Sequence, residues 1–190
     1  MTEENHASLD LLDRAVTQTR EIVAAVDARD ASSPTPCHSW NVARLVSHLV
    51  RAMEKFAEMA RGGEWRPGDL EPLDPGEWRP AVTASADALM EAWRGHGELT
   101  DRDLQRVSQQ TAEVAVHGWD VARATHQSVV IDADAAEAAL EWAQRNLKPE
   151  FRGDEESGKA FGPEIPLAAT APAGDRLAAF FGRDVAAWPA

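Results

Sequence analysis

The chain opens on a helical pattern. From Ser8 onward, Leu9, Leu12, Val16, Val23 and Val26 fall on one face at helical steps, with Asp10 and Asp13 suited to the positive end of a helix, and predict a first helix ending near Asp27. Pro34 and Pro36 steer the segment Asp30 to Trp40 away from helix until Ser39 or Asn41 can cap the next one. Val42, Leu45, Val46, Leu49, Val50, Met53 and Phe56 then trace one apolar stripe that Gly62 and Gly63 stop.

From Glu64 to Pro80 prolines and glycines interrupt any period, which predicts a long surface loop tacked down by Trp65 and Trp78. A third helix is predicted over Ala81 to Arg94, with Leu89, Met90 and Trp93 on its apolar side, and a fourth from Asp101–Asp103 to about Thr125. A shorter one covers Asp134 to Leu147 and ends at Pro149, the charged stretch Glu150 to Lys159 reads as mobile, and a last element after Pro172 buries Leu177, Phe180 and Phe181 before Gly182. The alternation at Ser128 to Ile131 is too short for a sheet. Four long amphipathic helices predict an all-α bundle, and 190 residues with 44% hydrophobic content predict one domain, residues 1–190.

Composition narrows the partners. A formal charge of −13 without a basic patch opposes nucleic acid. No stretch reaches the roughly 18 apolar residues of a membrane span, and Met1 to Asp10 is acidic rather than signal-like, so a cytoplasmic location without membrane contact is expected. The lone Cys37 has no partner for an intramolecular disulfide. Lysine is confined to Lys55, Lys148 and Lys159 while alanine is abundant, a bias that points to a GC-rich bacterial genome.

The candidate chemistry sits on the second and fourth helices. Glu113 and His117 are spaced i,i+4 on one helix face, within reach of a common ion, and Arg106, Gln110 and Asp120 share that polar stripe. The same stripe fits an ordinary solvated face. His48 lies roughly 130° from the centre of its apolar stripe, so it is either a surface residue or the lining of a wet cleft at the bundle mouth. Asp120, one turn beyond His117, is placed either to orient that imidazole or to pair with Arg123 at the surface. Cys37 is a reactive thiol, a ligand, or packing for the loop before Trp40; His38 reaches the site from the helix entrance or stays in solvent. His6, His96 and His126 lie in terminal or loop-like settings.

Three blocks carry a family resemblance. Thr35-Pro36-Cys37 with Trp40, Val42, Leu45, His48 and Leu49 resembles the T-P-C-x-x-W-x-V-x-x-L-x-x-H-L entry of the metal-binding domain family of mycothiol-dependent maleylpyruvate isomerase. Glu113 to Thr125 resembles that family's E-x-x-x-H-x-W-D-x-A-R-A-T block, with His126 standing where a helix-ending glycine is usual; Phe161 to Pro166 with Asp175 to Arg183 resembles the ending of its short, single-domain members. The resemblance implies a DinB-like four-helix bundle with extra short C-terminal helices, in which His48, Glu113 and His117 ligate a divalent ion.

Zinc is the ion expected first, with nickel or iron compatible with the same donors. Mycothiol is the implied cosubstrate, an electrophile the second substrate, and a homodimer the assembly left open. The isomerase is expected to carry a further C-terminal domain, for which this chain has no room. The reading is therefore a metal-dependent enzyme that uses a low-molecular-weight thiol for transfer or isomerisation. The alternatives are a non-enzymatic metal-binding or interaction module and a metal-assisted hydrolase.

Overall fold

The computed structural model describes residues 3–37, 40–64, 71–153, 157, 159 and 161–189. Among them are six α-helices: α1 (Glu3–Ala24), α2 (Val42–Ala60), α3 (Trp78–Arg94), α4 (Asp101–Ala124), α5 (Ala133–Asn146) and α6 (Ala173–Phe180). Each of α1 and α2 packs on both α3 and α4, which closes a ring of four. The shorter α5 and α6 lie outside that ring against α4. β-Pairing among the described residues is limited to isolated bridges at Pro34–Asn41 and Arg152–Phe161. No helix is long and apolar enough to cross a membrane.

Local chemistry sets the helix ends that matter for the site. The Asn41 side chain accepts the Arg44 amide at 3.0 Å and caps α2. Thr100 and Asp103 form a reciprocal capping box on α4. His126 follows α4 with φ 53°, the left-handed conformation that a helix-ending glycine would take, and the Gln127 amide bonds back to Ala122 O. Gly118 allows α1 and α4 to meet closely: a Cβ there would lie 2.5 Å from Thr19 Oγ1.

Some predicted boundaries move. α1 begins five residues before Ser8 and ends at Ala24, so Asp10 and Asp13 lie inside it, where they pair with Arg14 and Arg94 rather than with the helix terminus. α3 takes in Trp78 and Pro80, because a proline in the first helical turn forfeits no intrahelical bond. By contrast α6 starts directly after Pro172, as the pattern predicts. Trp78 does hold the loop, donating from Nε1 to Leu73 O, while the Leu73 amide bonds Ser47 Oγ on α2. Trp65 lies outside the described residues, as does most of 154–160.

Candidate metal centre

The site forms where the loop before α2 folds over the α2–α4 contact. Val42 N bonds Ser33 O, and the Thr35 hydroxyl lies 3.0 Å from Cys37 O and 2.9 Å from Trp40 O, so the loop is closed on itself. That closure fixes Trp40. Its ring packs 4.6 Å from the His48 ring and 6.0 Å from the His117 ring, centroid to centroid.

His48 from α2 and Glu113 and His117 from α4 converge below that indole. His48 Nε2 is 2.9 Å from Glu113 Oε1, and His117 Nε2 is 3.6 Å from the same oxygen. One donor atom from each of the three falls within 4.8 Å of the others. Two imidazole nitrogens and a carboxylate oxygen in that space are a donor set that a divalent ion of the zinc class fits, because a modest spreading brings all three to bonding distance. The His48 and Glu113 side chains stay 33% and 27% exposed, so the triad faces an opening rather than closed core.

Behind the triad the chain is dry and charged. His117 Nδ1–H donates to Asp120 Oδ2 at 2.9 Å, which leaves Nε2 to face Glu113 and His48. Arg183 grips the same carboxylate with two bonds, Nε to Oδ1 at 3.1 Å and Nη2 to Oδ2 at 2.8 Å, and its Nη1 bonds Phe181 O. Burial raises the Asp120 pKa, but the Arg183 charge and the His117 and Arg183 hydrogen bonds outweigh it and hold the carboxyl below its usual range. Glu113 is likewise held well below that range, its desolvation overcome by the facing His117 and His48 imidazoles. Burial alone would lower His117; its hydrogen bond to Asp120 and the nearby Glu113 carboxylate instead raise it to about 9.

The polar stripe of α4 is therefore not a solvated face. Gln110, His117 and Asp120 are all buried, because α1, α2, α5 and α6 surround α4. Asp120 does not pair with Arg123, which instead bonds Asp175 of α6. Cys37 Sγ falls into a group with His117 and Asp120 rather than with His48 and Glu113. Burial, with the Asp120 charge, pushes its thiol up to about 12, so it stays protonated at neutral pH and is no free nucleophile. His38 lies outside the described residues. His96 stacks against Trp93, 5.3 Å between centroids, away from the triad.

Two participants went unassigned in the sequence reading. Arg183 stands sixty-three residues from the carboxylate it holds, and Trp40 was read only as part of a motif. The available signal was their place inside the blocks that carry the family resemblance, Trp40 five residues after Thr35 and Arg183 directly after Gly182. Gly182 adopts φ +88°, and a Cβ there would meet the Gly162 Cα at 2.7 Å, so this crossing of two chain segments delivers Arg183 to Asp120.

Two cavities adjoin residues of the site. One of about 350 Å³ is walled in part by Glu113 itself, and a wider one of about 600 Å³ lies beyond Trp40, lined in part by Asn41, Arg44 and Trp188.

Over residues 12–122 the chain matches the family model of the mycothiol maleylpyruvate isomerase N-terminal domain. Two uncharacterized proteins, from two strains of Mycobacterium tuberculosis, are 32% identical to it over 182 residues, spanning 90% of this chain and 95% of each relative. The crystal structure of the mycothiol-dependent maleylpyruvate isomerase superposes with a TM-score of 0.58 at 18% identity, covering 85% of this chain and 77% of that one. A mutant of that isomerase gives the same values. The superposition speaks for the fold, a DinB-like helical bundle.

Proposed function

The chain belongs to the mycothiol maleylpyruvate isomerase N-terminal domain family, and from that premise we propose that it is a metal-dependent enzyme of the cytoplasm that uses a low-molecular-weight thiol of the mycothiol type. His48, Glu113 and His117 hold the divalent ion, zinc first, with nickel or iron served by the same donors. The observation that carries this reading is the convergence of three donors from two helices within 4.8 Å, beside an opening. When bound, such an ion stabilises a thiolate over a thiol and so makes a nucleophile available near neutral pH.

The chain's own residues supply the rest. Asp120 keeps the His117 Nδ1 proton in place, so the lone pair of Nε2 faces the ion, and Arg183 keeps Asp120 ionised. Trp40 covers the two imidazoles and excludes water from one side. The wide groove beyond Trp40 gives a polar thiol room to approach, and the smaller cavity at Glu113 gives a second substrate a place next to it. A cavity that shares a wall with the triad favours an enzyme over a structural metal site, which would be closed.

Metal analysis of the purified protein tests the ligands: about one divalent ion per chain is expected, with none retained by His117→Ala. Unchanged metal content in that variant overturns the assignment. Mycothiol conjugation of an electrophile, followed with and without added metal, tests the chemistry; equal rates in both arms overturn it.

A further inference from the structure

The cavity at Glu113 has a composition that selects among electrophiles. It lies between α4, α5 and the segments around Phe151 and Phe161, and its apolar walls are Trp142, Leu147, Phe151, Phe161 and Phe181. Phe161 and Phe181 meet edge to face with centroids 5.5 Å apart, the arrangement that aromatic rings prefer. The amides of Gln109 and Asn146 complete the polar part of the lining, on exposed residues.

None of the described lining residues is basic, and the charged one among them is Glu113. Neither Arg183 nor Arg152 lines the cavity: Arg183 is held on Asp120 and Phe181 O, and Arg152 bonds Gly162 O and Phe180 O through Nη1, with its guanidinium 4.3 Å over the Phe180 ring and its Nη2 buried without a partner. In the metal-free protein a dianion entering here would lose water and meet the Glu113 carboxylate, with no basic side chain among the described lining residues. An uncharged ring would replace water with aromatic surface, and about 350 Å³ lies near the lower end of the roughly 300–1,000 Å³ typical of small-molecule sites.

We propose that this cavity is the electrophile subsite and that it takes a compact, uncharged, aryl-bearing electrophile rather than a dicarboxylate such as maleylpyruvate. The word electrophile rests on the metal and thiol reading above; the preference for a neutral ring rests on the cavity. With an activated alkene the step balances without a third reactant. The thiol sulfur bonds the electrophilic carbon, the π pair moves to the electron-withdrawing end, and the proton released by the thiol finishes there.

Calorimetric titration of the full chain, as purified and after chelation, with methyl cinnamate (a neutral aryl ester) and with maleate tests the proposal. Methyl cinnamate should bind the chelated protein at least roughly tenfold more tightly than maleate does, and Trp142→Ala and Leu147→Glu should each weaken methyl cinnamate binding by about tenfold or more in both forms. Both variants should keep the wild-type helical spectrum and metal content, and either one suffices if the other does not fold. Maleate binding as tightly as methyl cinnamate to the chelated protein, or methyl cinnamate binding that ignores the substitutions, overturns the proposal. Loss of the metal reading registers separately: no ion in the purified protein while methyl cinnamate still binds through Trp142 leaves the aryl site standing and removes the thiol chemistry.

Discussion

Gln110 and His117 sit two turns apart on α4, both buried, and each bonds a ring from another helix or a carboxylate of its own. At Gln110 the bond is final: Trp93 Nε1–H donates to Oε1 at 2.6 Å, and both side chains are closed off from solvent. At His117 one ring nitrogen is spent on Asp120, while the other faces Glu113 and His48, whose side chains reach the opening. Both clusters satisfy the rule that buried polar groups be paired. The difference is that the second keeps a set of donors converging on one accessible point, which packing alone does not require.

The sharpest way to break this contrast is to exchange its outcomes. His117→Ala is expected to remove essentially all tightly bound metal, whereas Gln110→Met should leave about one ion per chain, both read by elemental analysis after gel filtration. Metal loss in the Gln110 variant would erase the distinction. Next in size is Arg183→Met, which strands the buried Asp120 charge: about 3–5 kcal/mol of stability should be lost in denaturant unfolding, with metal affinity reduced roughly 10- to 100-fold. Gln110→Met leaves the Trp93 N–H unpaired and should cost about 1–3 kcal/mol in the same measurement.

The pH dependence is the most discriminating effect, because only one cluster titrates. In metal-free protein the His117 pKa is raised from 6.5 to about 9, so its stabilisation is complete below the lower value and disappears as pH rises through the upper one. The thermal deficit of His117→Ala should therefore shrink between about pH 6 and about pH 10, while that of Gln110→Met stays flat. The lowered Glu113 and Asp120 act with the opposite sign, stabilising above their ordinary pKa values and failing on acidification. Metal uptake should improve over the same alkaline rise, since His117 must shed its proton to bind. A pH-independent deficit for the His117 variant would mean that its bonds are as neutral as those of Gln110.

Periodicity made the bundle legible. The stripe from Val42 to Phe56 and the cap at Asn41 define α2, and Thr100 with Asp103 defines the start of α4. Proline misled at α3, because a breaker rule takes no account of position within the first turn. The angular position of His117 and Asp120 was legible too, but not their burial: a helical wheel reports which residues share a face, not whether other helices cover it. Arg183 was beyond reach for the same reason, since no spacing rule connects residues on α4 with one that follows a glycine crossing outside the bundle.

That distance has a consequence in time. At about 5–20 residues per second, the 63 positions separating Asp120 from Arg183 take a ribosome roughly 3–13 seconds to add. Through that interval the nascent chain holds all three candidate ligands but lacks the cation that steadies the carboxylate behind His117. On the proposed metal reading, an ion captured early would sit in an unfinished nest and exchange with its surroundings, whereas one held after the crossing closes would be kept. The metal of the mature protein would then be set by the pool met on completing this last contact, and less by whichever ion arrives first.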